Sequence, residues 1–211
     1  MLSQLGIKAR VGFAGVALAM AVAGCAHRLE SYPAPVAGTN WTASAQDTGS
    51  YGSGTSQIAG KFLPDRMWQG NRVHAFEVAG FTTLMTPGIA RFIVQMKGDA
   101  PVLSWEPPFG WNWPLEVGKT WTSRTKQTNH AAKASIDIEY TQTVEAYEEV
   151  TVRAGTYKTF RVRTVTSIGD ENVQWWSPDT GIFMKQTLKR SAKHPAGAGT
   201  REYELVSFNR S

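Results

Sequence analysis

The chain has 211 residues, 42% hydrophobic and 18% charged, enough to bury a core and outside the low-hydrophobicity, high-charge range of disordered chains. Its formal charge of +5, from 22 Lys+Arg against 17 Asp+Glu, is too mild and too dispersed to point to nucleic acid as a partner. The single cysteine, Cys25, excludes a disulfide scaffold and any cysteine-rich metal or cluster site.

Residues 1–24 read as a secretory signal: Lys8 and Arg10 precede a run from Val11 to Gly24 that holds no charge and no proline. The run has 14 residues, Gly12, Gly15 and Gly24 among them. A spanning helix needs about 20 apolar residues. Removal of this segment takes two cations with it, so the mature chain is only slightly basic.

The segment ends Val22-Ala23-Gly24-Cys25, which resembles the lipobox of bacterial lipoproteins: aliphatic, small, Gly or Ala, then Cys. The resemblance implies that the Cys25 thiol receives a diacylglyceryl group, that the bond before it is cut, and that the new amine is acylated. Several acyl chains at ~0.8 kcal/mol per buried methylene give an effectively permanent anchor. Residue 26 is Ala rather than Asp. By the sorting rule of some Gram-negative lipoproteins, that implies an outer-membrane protein facing the periplasm.

Residues 25–56 are expected to be the lipidated Cys and a flexible tether. In Ser31–Ser56, Gly, Pro, Ser and Thr make 15 of 26 positions, a composition that buries little apolar surface. As a coil it would reach about 25–30 Å. The alternative is that Thr39–Ala45, centred on Trp41, forms a first edge strand.

From Gln57 onward the hydrophobic period is 2, so residues 57–211 are expected to fold as one all-β domain. In Lys133–Glu145, Ile136, Ile138, Tyr140, Gln142 and Val144 share one face, opposite Asp137, Glu139, Thr141, Thr143 and Glu145. Arg91–Lys97 alternates likewise, with Phe92, Val94 and Met96 on one face. Ala154-Gly155 and Pro178-Asp179-Thr180-Gly181 supply turns. About ten strands with short connections predict a single antiparallel β-sandwich or a strongly curved half-barrel. Two longer interruptions, Pro107–Gly118 and Ala192–Thr200, are candidate functional loops.

Motifs for catalysis are missing. Gly118-Lys119-Thr120 ends like a phosphate-binding loop, but Trp113 stands where the first glycine is required. His27, His74, His130 and His194 are scattered, without metal-ligand spacing, and no G-x-S-x-G occurs. Glu106 is the carboxylate to watch for glycoside cleavage, with a solvated rim position the more ordinary role. No catalytic residue, metal or cofactor is therefore expected.

The strongest compositional contrast is tryptophan, with eight residues in the chain. Trp105, Trp111 and Trp113 fall on one proline-rich stretch, and Trp175-Trp176 are adjacent in a strand. Those on the stretch either present a platform for a sugar or apolar ligand, or fold back and plug the open end of a curved sheet. Adjacent strand residues point to opposite faces, so one of Trp175 and Trp176 is core and the other is not. All five are candidate ligand-lining residues. Lys185, Lys189, Arg190 and Lys193 flank the second long loop and could meet anionic headgroups or cell-wall phosphates.

Pro114-Leu115-Glu116-Val117-Gly118-Lys119-Thr120-Trp121, Glu148 to Tyr157 (EEVTVRAGTY) and Trp175-Trp176-Ser177-Pro178-Asp179-Thr180-Gly181-Ile182 resemble, in that order, a group of uncharacterised bacterial envelope β-proteins. The resemblance covers roughly the C-terminal half and implies a fold more than an activity. The expected function is a membrane-anchored, non-catalytic envelope module that binds an apolar or amphiphilic ligand. The alternatives are a glycan-binding module using the Trp loop, or an assembly partner.

Overall fold

The computed structural model describes residues 27–211; the expected signal peptide and Cys25 lie outside them. Among the described residues there is no helix. The strands are β1 (Arg28–Leu29), β2 (Asn40–Gly49), β3 (Gly54–Trp68), β4 (Asn71–Val78), β5 (Phe81–Met85), β6 (Phe92–Lys97) and β7 (Ala100–Phe109). They continue with β8 (Leu115–Glu116), β9 (Thr120–Asn129), β10 (Ala134–Val152), β11 (Gly155–Thr166), β12 (Glu171–Trp176), β13 (Phe183–Arg190) and β14 (Gly199–Asn209). Twelve of them close into one antiparallel barrel, in the order β10-β11-β12-β13-β14-β2-β3-β4-β5-β6-β7-β9, while β1 pairs with β8 apart from it.

The all-β class is as expected, but the sandwich or half-barrel of about ten strands is corrected to a closed barrel of 12. The difference comes from β2 and β3: β3 begins within the stretch expected to be a tether, and β2 lies wholly in it, where the alternative reading put a strand at Thr39–Ala45. Strand β2 pairs with β14 from Asn40↔Asn209 to Gly49↔Gly199 and with β3 from Asn40↔Lys61 to Asp47↔Gly54. Trp41, Ala43, Ala45 and Asp47 point inward and are buried. Closure satisfies the backbone groups that an open edge would leave unpaired.

Over β10–β12 the outer face of the barrel wall is charged and the inner face carries the buried residues. On β10, Asp137, Glu139 and Thr141 are exposed while Ile138, Tyr140, Gln142 and Val144 are buried. Across the outer face Arg161 pairs with Glu145 and Glu148 at 3.0 and 3.1 Å, and Arg163 pairs with Glu145 and Glu171. Partly exposed pairs of this kind contribute little stability each. Their side of the wall is what matters: a barrel immersed in lipid carries an apolar band outward, and this one carries charges there.

One end of the barrel is filled. A bulge between Val144 and Ala146 bends β10, and bulges re-aim the strand that holds them. Beyond it, Val150, Val152, Ala154 and Tyr157 pack onto Trp41, Phe62, Met184 and Leu205. Close by, Gly60 lies opposite Trp41; a Cβ on Gly60 would come within 2.3 Å of the indole, so only glycine lets that ring lie flat on β3. A third apolar cluster, Val73, Ala75, Leu84, Val94 and Met96, is separate from these. The bulge between Phe92 and Val94 breaks the single face expected for β6, sending Phe92 and Gln95 to the lumen and Val94 and Met96 into that cluster.

Candidate functional site

The lumen holds a cavity of about 550 Å³, inside the range of roughly 300–1,000 Å³ common for small-molecule sites. Its wall is built by inward-facing positions of nearly every barrel strand, which is why no single segment of the sequence contains it.

The floor is aromatic. Trp111 and Trp113 fold back from the proline-rich stretch and meet Trp176 edge-on, at centroid distances of 5.6 and 5.8 Å. Tyr32 adds a fourth ring, 6.0 Å from Trp176, and donates its hydroxyl to the Gly181 carbonyl at 3.3 Å. The Trp113 indole N–H donates to the Ile89 carbonyl at 2.9 Å, so the ring is fixed as well as packed. Burial pushes the Tyr32 phenol well above its ordinary pKa, as expected for a hydroxyl sealed from water. Gly181, with φ +73° and Pro35 directly over its missing Cβ, lets the N-terminal segment cross this end. These rings bury large apolar faces and favour edge-to-face contacts.

Along one side of the wall, from β2 to β10, runs a belt of rings contributed by six strands. Trp41 of β2, Phe62 of β3, Phe76 of β4, Phe92 of β6, Phe109 of β7 and Tyr140 of β10 follow one another at centroid distances of 5.2, 6.1, 6.2, 6.2 and 4.2 Å. Trp105 joins it, 5.9 Å from Phe92. Burial, with Asp170 nearby, pushes the Tyr140 phenol up to about 12. The lining is not only aromatic: Thr83, Gln95, Gln127, Gln142, Thr164 and Gln186 also face the lumen. Gln142 accepts from the Trp121 indole N–H at 2.9 Å and donates to Thr164 at 3.3 Å, so its amide is satisfied.

The opposite end is polar. Arg201 forms a two-pronged pair with buried Asp47 at 2.7 and 2.6 Å. Arg190 donates to the carbonyl and hydroxyl of Ser50 at 3.1 and 3.3 Å and lies 3.8 Å over the Tyr51 ring. Asp170 accepts the Ser191 N–H at 2.8 Å and faces His194 at 3.8 Å. Burial holds the His194 pKa below its ordinary value, and Arg190 works in the same direction against Asp170. Among the described residues, Arg190 has no carboxylate within ion-pair distance, so its charge is offset only by the Tyr51 face and the Ser50 oxygens.

Of the five candidate tryptophans, Trp105, Trp111, Trp113 and Trp176 border the cavity. Trp175 is corrected: it faces outward, where its N–H donates to Glu148 at 2.8 Å and Lys185 sits 5.3 Å over its ring. The basic group flanking the second long loop is split the same way, Lys185 outward and Arg190 at the polar end of the lumen. Sequence reading missed the ring belt and Tyr32. Phe92 and Tyr140 had already been assigned to apolar strand faces; what brings them together is closure, which leaves no local signal.

No family profile matches the chain, and no curated protein matches it. Three solved structures are similar in outline. A Bacteroides fragilis chain named as an exported protein with a YmcC-like fold shares 11% identity at a TM-score of 0.49, over 86% of this chain and 100% of its own. A Parabacteroides distasonis chain named as a lipoprotein shares 9% at 0.42, over 86% and 99%. The hypothetical lipoprotein YmcC of Escherichia coli shares 11% at 0.42, over 80% and 86%. Likeness at this level transfers no residue role and no ligand.

Proposed function

We propose that this chain is a lipid-anchored envelope protein, tethered through Cys25 and facing the periplasm from the outer membrane, whose barrel carries the apolar part of an amphiphile without chemically changing it. The observation that supports the reading is the lumen itself: about 550 Å³ of space between an aromatic floor and a charged end, inside a wall whose outer face is charged over β10–β12. An apolar chain in that space leaves water for contact with aromatic faces, at roughly 25 cal/mol per Å² buried. The ligand's polar head would lie among Tyr51, Arg190 and Arg201, which border the polar end of the lumen.

Native mass spectrometry of the protein taken gently from its membrane, followed by delipidation and titration with a fluorescent fatty acid, tests this. A co-purified mass that is replaced by saturable fatty-acid binding is expected. A clean ligand-free mass with no saturable binding overturns it. Retention on peptidoglycan that depends on Trp111 and Trp113 would favour the glycan reading, which the inward packing of both rings speaks against.

A further inference from the structure

We propose that the barrel stands on the membrane with its aromatic floor against the lipid surface and its polar end pointing away. The proposal rests on Cys25 as the site of anchoring. The chain is already fixed to the barrel at His27, whose ring stacks on Tyr147 with centroids 3.6 Å apart and planes 4° from parallel. Arg28 and Leu29 then pair with Glu116 and Leu115. Only Ala26 separates His27 from Cys25. Two Cα steps of about 3.8 Å each keep the anchoring residue within roughly 8 Å of a docked one. A tether of tens of ångströms would let the domain tumble; a leash this short makes the floor of the barrel the part nearest the bilayer.

A second observation points the same way. Among the described residues, the exposed large hydrophobic side chains are Val36, Met67, Ile89, Val117 and Val165, at 60%, 63%, 39%, 36% and 42% exposure. Scattered singly, such residues would be unremarkable. Here the first four belong to segments around the floor. Val36 lies on the N-terminal crossing, Ile89 accepts from Trp113, Val117 follows the β1–β8 pair, and Met67 lies on β3 past Leu63, which borders the groove beside Tyr32 and Pro35. Only Val165, near the end of β11, lies toward the polar end. Apolar tips on the face nearest an acyl anchor fit a shallow contact with the headgroup–acyl boundary, where aromatic residues also partition well. The charged wall stays in water.

Amide hydrogen exchange on the lipidated protein, in vesicles of phosphatidylethanolamine and phosphatidylglycerol and against the Cys25→Ser protein in solution, tests the orientation. Exchange at 30–38, 86–91 and 116–119 should slow by about tenfold, while the turns at 130–133, 168–171 and 192–198 keep their rates. Slowing at those turns, or at neither end, overturns the proposal. Palmitate incorporation into the same preparation reports the anchor separately. If Cys25 carries no acyl chain, coupling its thiol to a maleimide-bearing lipid in the same vesicles supplies the leash, and the same exchange pattern is still required.

Discussion

The two ends of the barrel solve one problem in opposite ways. At the floor, Trp111, Trp113, Trp176 and Tyr32 fill the opening with rings and bring few polar groups, each with a backbone partner where it needs one. At the other end, Arg201, Arg190, Asp170 and His194 line the lumen with charge; Asp47 holds Arg201, Asp170 faces His194, and Arg190 rests on Ser50 and Tyr51. Stability from packing is concentrated where the cavity stops, and electrostatics is concentrated where it meets solvent. A carrier needs that asymmetry, since the end that stays shut can be rigid while the end that admits a ligand must tolerate water.

The contrast breaks first at Trp176. It is 2% exposed and touches three other rings, so Trp176→Ala should cost about 3–5 kcal/mol, seen as a lower denaturant midpoint that salt does not rescue. At the polar end, Asp47→Ala strands Arg201 and should cost about 2 kcal/mol, less than a fully buried pair because the Arg201 side chain is 27% exposed. Arg201→Met added to it should recover part of the loss, which a purely steric role for Asp47 would not allow. The smallest effect is expected from pH. His194 has its folded pKa lowered from 6.5, so its neutral form is favoured in the closed loop. The loop's stability is complete above pH 6.5 and falls as acid protonates the ring. Protection factors of amides 192–198, with the intrinsic pH dependence of exchange divided out, should therefore fall below that pH, while those of the floor segments should not change.

Much of the body was legible because a half-buried strand writes its period into the sequence. The inward set Ile138, Tyr140, Gln142 and Val144 of β10 and the turns after Val152 and Trp176 follow from alternation and turn chemistry. For the Trp loop the sequence left two readings, an exposed platform and a folded-back plug; Trp111 and Trp113 pack against Trp176. What escaped was the full length of β2 and its pairing on both sides, since the sequence offered Thr39–Ala45 only as an alternative edge strand. The lumen side of β2 is Trp41, Ala43, Ala45 and Asp47, two alanines where a core strand usually shows large residues, and its outer side is Thr and Ser, so its composition mimics a linker. The alanines are small because the space inside that part of the wall is already taken, a fact of the closed barrel that no window of sequence carries. One partner of β2, the strand β3, is next in the chain, but the other is 169 residues away at the Asn40↔Asn209 pair, and that pairing shows in neither member locally.

That pairing also sets an order of events. The seam between β2 and β14 joins the first barrel strand to the last, so the lumen has no inside until Asn209 is available. Contacts between sequence-distant strands form slowly, typically in milliseconds to seconds for all-β chains. A chain made N-terminus first therefore cannot close its ring before its last strand is complete, and the ring belt faces solvent until that seam forms.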